Sequence, residues 1–468
     1  MATYYSKNPT DWYALEGIYI AEMQQPGGAS IRSNGGLAKI VGEFPWGPVN
    51  ELVKVGSSAQ FKDGLIGETQ SLQEYAGFRA ITGKAWGGLH IVRVGVAGQA
   101  KASVTLAEAA LKDAYKLDAK YVGAAGNEIA YSHTDNNDNT FDLTLSWGNA
   151  SKAYRGLSLS AASLETVDNP WVDITLIDDT ADVPADSTGF LENGANGTPG
   201  DADYSDALDA LLVDASGGVV FAAEYTSPAW LAALQTHVAE KRAQGVAQAA
   251  AGDVAANISA AEGISDDRMI FGVHRVKQFI ASTLVEVDLA PFIASVLVNS
   301  SPHISPAANR NSEWLKPIRA FADGVGLTRS TYIKIKQAGA MALEQQDGSW
   351  TIVSGITSDT TPGKEQVNTR RMKDLIAQNS ARSLAPFQSE PPYPSNVNGA
   401  KAVLVKMLGL LAGNPSNPDS QLIEDSRVDI VELTPNSVQF KLTAKLWGAM
   451  DHIIASILVG ENVEIEEA

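Results

Sequence analysis

Apolar positions along this chain follow two rhythms, and the places where one gives way to the other divide it into regions. Gly17-Ile18-Tyr19-Ile20-Ala21 is a short strand-like run, cut off at once by Pro26, Gly27 and Gly28. No hairpin partner precedes or follows it, so residues 1–25 read as an extended arm, with an edge strand of a local domain as the alternative. Ala38 to Gly42 and Leu89 to Val94 are compact apolar runs bounded by Gly-Pro or Gly-Gly. Such runs predict buried strands sharing one sheet.

From about Val96 to Phe190 the pattern changes to short alternating pieces such as Thr140-Phe141-Asp142-Leu143-Thr144-Leu145. Polar turns at Asp135 to Asn139 and Asp178 to Asp182 separate them, which predicts an inserted β-rich domain closed by the Gly-rich loop Asn193 to Gly200. Strands then alternate with helices. Tyr204 to Asp214 predicts a helix with Asp residues at its start, where they suit the dipole, stopped by Gly217-Gly218. Val219 to Ala223 predicts a strand, Ser227-Pro228 an N-cap and first turn, and Leu231, Leu234 and Val238 the apolar face that follows. Met269 to Val273 is a further strand, and this order implies a parallel or mixed sheet flanked by helices.

Beyond Thr361-Pro362-Gly363 a C-terminal unit begins. A helix over about residues 366–381 leads to the Pro-rich loop Pro386 to Pro394. Val397, Ala400, Leu404, Leu408 and Leu411 then mark a second helix, ended by Gly413 and Pro415. Val438, Phe440, Leu442, Ala444 and Leu446 alternate with polar residues over nine positions, the clearest strand in the chain. Ile453, Ile454, Ile457, Leu458 and Val459 make the last segment apolar on both faces, ahead of an acidic tail at Glu461 to Ala468. Such a strand enters a core or pairs with another chain. The predicted class is a mixed α/β and α+β multidomain protein. Its parts are an arm at 1–25, an α/β body at 26–95 with 200–362, an inserted β-rich domain at 96–199, a C-terminal α+β domain at 363–450, and a terminal strand and tail at 451–468.

Charge and composition narrow the function. The 468 residues carry a formal net charge of -19, which repels a phosphate backbone and argues against direct nucleic-acid binding. No cysteine is present, so neither disulfides, thiolate metal sites nor a thiol nucleophile can operate. The start, Met1 to Asp11, lacks the basic segment and apolar core of a secretory leader, which predicts synthesis in a cytoplasm. No window approaches the roughly 18 consecutive apolar residues of a membrane span.

Catalytic signatures fail together. The six histidines, at 90, 133, 237, 274, 303 and 452, form no i, i+4 pair, and no phosphate loop, dinucleotide fingerprint or Gly-x-Ser-x-Gly element occurs. Asp135 to Thr140 starts like a calcium loop but lacks the sixth-position Gly and has Ser146 at the twelfth, so it reads as a solvated turn. Asp178-Asp179 and Asp266-Asp267 read as solvated loop carboxylates. No cofactor, metal or catalytic residue is expected.

Taken in order, several short stretches resemble the tail sheath proteins of contractile phages and related injection systems. Leu15-Glu16-Gly17-Ile18-Tyr19-Ile20 resembles the family's opening Pro-Gly-Val-Tyr, with Glu16 in place of Pro. Ile40 to Asn50 matches its Val-Gly-x-x-x-x-Gly-Pro-x-Asn stretch, Gly87 to Val94 its Gly-Gly, strand and Arg-Val, and Asn368-Thr369-Arg370-Arg371 its Arg-rich helix start. Ala294-Ser295 departs from a common Ala-Gly pair, and Ser354-Gly355-Ile356-Thr357 is only part of the element before the last domain.

That resemblance implies a structural subunit, not an enzyme, in a virion tail assembled in the host cytoplasm. Its partners would be copies of itself in stacked hexameric rings, the tail tube protein, and baseplate and terminator proteins, with no membrane insertion. Ile18, Tyr19 and Ile20 would form an arm strand, Phe440 and Leu442 would lie in a receiving strand, and Ile453, Ile454, Ile457, Leu458 and Val459 would form a terminal strand exchanged between subunits. Lys401 and Lys406 are candidates for facing the tube, with plain solvent exposure as the alternative. A nucleotide-using α/β enzyme, or another tail or baseplate protein, is the competing reading.

Overall fold

The computed structural model describes residues 3–6, 18–21, 36–68, 88–109, 112–214, 217–222, 224–248, 254–280, 282–322, 327–346, 348–412, 423–434 and 437–446. Two units emerge: Met1–Arg32 with His303–Ser305 and Leu375–Ala468, and Ser33–Pro302 with Pro306–Asp374. In the first, β1 (Thr3–Ser6) and β2 (Ile18–Ala21) pair in parallel, Thr3 opposite Ile18. The sequence predicted no local mate for β2. The structure corrects this: Thr3 to Ser6, which shows no amphipathic period in the sequence, is the mate.

The second unit is built on a seven-stranded sheet. Its first strands are β3 (Ala38–Gly42), β4 (Leu52–Val55) and β5 (Leu89–Arg93). The chain then makes β6 (Lys101–Ala107), β7 (Asp113–Val122), β8 (Ala130–Asp135), β9 (Phe141–Trp147), β10 (Ala150–Leu157), β11 (Val172–Leu176) and β12 (Ser187–Phe190). These form two antiparallel sheets of order β10-β9-β8-β12 and β11-β7-β6 around a shared core of Leu117, Phe141, Leu143, Leu145 and Trp147. In β9 every second residue is buried, as the alternation predicts.

The main sheet resumes with β13 (Val219–Ala222), β14 (Gln244–Gln248) and β15 (Met269–Gly272). A three-stranded sheet of β16 (Arg275–Ile280), β17 (Thr283–Asp288) and β18 (Ile318–Phe321) follows, then β19 (Ala340–Met341) and the hairpin β20 (Leu343–Gln346) and β21 (Ser349–Ile352). The main sheet runs β19-β15-β14-β13-β3-β5-β4, parallel except for β4 at its edge. Ala38 pairs with Leu89, so the two apolar runs predicted to share a sheet are neighbours in it.

Helices cover both faces, which is why the central strands are apolar throughout. One face packs on α1 (Asp201–Ala210), α2 (Pro228–Lys241), α3 (Val254–Glu262) and later α5 (Arg329–Gln337). Helix α1 starts three residues earlier than the apolar pattern predicts, because Gly200 and Asp203 form a cap that draws Asp201 and Asp203 into the first turn. Ser227 caps α2 by accepting from the Trp230 amide, with Pro228 in the first turn. The other face is covered by α4 (Ala290–Asn299), where residues 290–298 are all buried.

Helix α6 (Val367–Leu384) follows, then α7 (Pro394–Ala412) and the hairpin β22 (Asp425–Thr434) and β23 (Ser437–Lys445) in the first unit. The predicted stripe Val397, Ala400, Leu404, Leu408 and Leu411 is the buried face of α7. No helix among the described residues is long and apolar enough to cross a membrane.

Candidate assembly surfaces

Among the described residues the β22–β23 hairpin is a sheet of two strands. Asp425 opposes Lys445, Val428 opposes Leu442 and Ile430 opposes Phe440, with a register break between Ile430 and Glu432. Among the described residues neither strand has a second ladder partner. Phe440 and Leu442 are half-buried, while Ile430, Val431 and Leu433 are exposed, the last two by 56%. The alternation of β23 predicts one covered face, yet residues 437–444 are half-buried on both. Two strands cannot cover themselves, and α7 packs mainly against β22.

Helix α7 carries a second apolar surface outward. Val403, Val405 and Leu410 are exposed, Leu410 by 73%, around the exposed Lys406, while Lys401 is half-buried. Ile18, Tyr19 and Ile20 lie in β2, paired with Thr3 to Tyr5. Ile453, Ile454, Ile457, Leu458 and Val459 lie outside the described residues.

The place where a doubly wound sheet would bind a ligand is the crevice at the carboxyl ends of β3 and β13, where strand order reverses. Charge gathers beside the end of β13, at Glu224. Arg275 reaches Glu224 at 2.8 Å, Glu286 at 2.6 Å and also Asp288. Burial first, and the Glu224 charge second, push the Asp288 carboxyl up to about 7. The acidic side chains around this guanidinium already engage its donors and leave it poorly placed for a phosphate. The loop after β3 holds Glu43, Phe44 and Trp46 instead of a glycine cradle.

Sequence reasoning missed a buried ion network. Arg268, just before β15, makes a two-pronged contact with Asp374 of α6 at 2.7 and 2.8 Å. Arg370 bonds Asp374 at 2.7 Å and Asp267 at 3.2 Å. Arg371 donates to the carbonyls of Leu297 and Ser300, and burial lowers it to about 10. Asp267 is therefore not a solvated loop carboxylate: its side chain is only 13% exposed because Arg370 draws it inward. Asp178 does remain at the surface, held down to about 2 by Thr180 and Lys112. The Asp135 to Thr140 turn is satisfied internally, Asp135 accepting from Asn137 and Asp138 from Thr140. Among the described residues no group of three His, Cys, Asp or Glu could hold a metal ion.

No protein-family model and no curated protein matches the sequence. Solved structures do match the fold. A sheath tail protein from Desulfitobacterium hafniense, 15% identical, aligns over 92% of this chain and all of its own with a TM-score of 0.63. A sheath tail protein from Listeria innocua, 16% identical, aligns over 89% of this chain and 97% of its own at 0.66. The contracted helical sheath of the anti-feeding prophage, 12% identical, aligns over 96% of this chain and 99% of its own at 0.54. The chain has the mixed α/β, multidomain fold of contractile-tail sheath proteins.

Proposed function

We propose that this chain is a structural subunit of a contractile tail sheath, polymerising around a tail tube and repacking to drive that tube through a cell envelope. The observation that carries this reading is the match of nearly the whole chain to sheath tail proteins, with almost the whole of each aligned. The outer edges of the β22–β23 hairpin, which have no further strand beside them among the described residues, supply a means of polymerising by strand addition. The arm strand at Ile18 to Ala21 and the terminal segment at Ile453 to Val459 are its incoming strands, donated by neighbouring copies in stacked rings. Six added residues make about six ladder bonds at ~0.5–1.5 kcal/mol each, several kcal/mol per junction before apolar burial.

Residues 96–199 act as an inserted domain on a body of 26–95 with 200–362, and residues 363–450 carry the hairpin. Helix α7, with Lys406 and the outward Val403 and Leu410, faces the tube, and the ends of the polymer meet baseplate and terminator proteins in the particle. The acidic side chains around Arg275, beside the end of β13, weigh against a nucleotide-using enzyme. Negative-stain microscopy of the purified full chain tests the reading: hollow striated cylinders are expected, and dispersed particles at every concentration would reject it.

A further inference from the structure

One short segment serves two cores. After β3 ends at Gly42, Phe44 is buried in the core under the main sheet, its ring edge-on to Phe61 at 6.1 Å. Two residues on, Trp46 is 1% exposed inside the core of the β6–β12 sheets. Its ring meets Tyr121 at 5.2 Å and Trp147 at 4.6 Å, both edge-on. Its amide donates to the Leu65 carbonyl, so the backbone stays with the body while the indole enters the other core. Gly47 follows at φ +99°, where a Cβ would lie 2.1 Å from the Gly64 carbonyl oxygen. Only glycine permits that turn, and a Cβ on Gly67, at φ +87°, would likewise lie 2.0 Å from the Trp147 ring.

A second pin lies beside it. Arg93, the last residue of β5, is 1% exposed. Its Nη1 donates to the Gly47 carbonyl and its Nη2 to the Val122 carbonyl at the end of β7, each at 2.7 Å. The planar fork of guanidinium suits two fixed acceptors. Gly123, at φ +128°, leaves room: a Cβ there would lie 2.8 Å from Nη2. The two connecting strands are also closed on each other, since Ala100 and Ala195 exchange both backbone bonds at 3.1 Å.

We infer that Trp46 and Arg93 are positioning residues that lock the β6–β12 sheets to the main sheet as one mechanical unit. The motifs surrounding them, Phe44 to Pro48 and Val92 to Val94, are thereby a joint and not a ligand loop. The consequence for contraction rests on the sheath reading: rotation of the body carries the β6–β12 sheets with it, and motion is taken up elsewhere.

The lock itself is testable on dilute subunits, independently of tube formation. The chain has no cysteine, so Ser151→Cys and Glu262→Cys, both at exposed positions, place one spin label on each side of the joint. A single narrow distance distribution is expected from the doubly labelled parent. Trp46→Ala and Arg93→Ala should widen it at least twofold, while Trp46→Phe should restore a width near the parent's. Arg93→Lys keeps the charge but cannot span both carbonyls, and widening there carries the test if the alanine variants fail to fold. A broad parental distribution, or widths unchanged in Arg93→Lys and whichever alanine variants fold, would overturn the lock.

Discussion

The main sheet and the β22–β23 hairpin are both apolar, yet among the described residues helices cover both faces of the first and a single helix packs on the second. In β13, all four residues are buried between α4 on one face and α1 and α2 on the other. In β22, with its alternation of apolar and polar residues, only Val428 is fully buried. Helices close the first within one chain. Among the described residues the second has one helix, no third strand and three exposed apolar side chains, so the same apolar chemistry is covered in one place and left at the surface in the other.

That contrast can be broken most forcefully through ion pairs. Arg268→Ala leaves Asp374 buried without its two-pronged partner, and a loss of about 3–5 kcal/mol is expected in chemical denaturation of the subunit. A loss below about 1 kcal/mol would mean that the network is not a closed part of the body.

Acid should act next, and through the body. His237 is 3% exposed with neither ring nitrogen bonded among the described residues, and burial pushes it down to about 4. The unfolded chain takes up that proton below about 6.5 while the folded chain does not until about 4, so stability is present above this window and lost down through it. The loss amounts to about 3 kcal/mol at ~1.4 kcal/mol per pH unit. Asp288, raised to about 7, runs the other way: the folded chain protonates first, and stability grows as pH falls from about 7 towards 3.8. Asp288→Asn removes this offset, so denaturation midpoints of the variant should fall more steeply than the parent's between pH 7 and 4. Equal slopes would place Asp288 in a wetter site than the structure describes.

The smallest effect belongs to the hairpin. Arg427 pairs with Asp429 at 2.7 Å, but its side chain is 76% exposed. Arg427→Ala should shift subunit stability by less than about 1 kcal/mol in the same denaturation assay. A loss as large as that of Arg268→Ala would erase the contrast between the two regions.

Much of this architecture was legible in local pattern. Alternation in β9, the Ser227-Pro228 start of α2 and the stripe of α7 are statements about neighbours in sequence, and periodicity reads neighbours well. What escaped depends on partners far apart. Arg268 and Asp374 are separated by 106 positions, and nothing at Asp266-Asp267 marks one carboxylate as bound for a buried arginine. Trp46 reads as part of a turn, because no periodicity tells which of two cores an isolated aromatic will enter. The half-burial of β23 was equally hidden: alternation announces a face to be covered but not which chain covers it.

If strands from other copies complete the hairpin, a chain without its arm cannot assemble. Deleting residues 1–25, which removes β1 and β2 but no part of the main sheet, and imaging the product beside the full chain tests it most directly. Folded subunits of the truncated chain that no longer build cylinders, where the full chain does, are the predicted result. Long, regular cylinders from the truncated chain would contradict it.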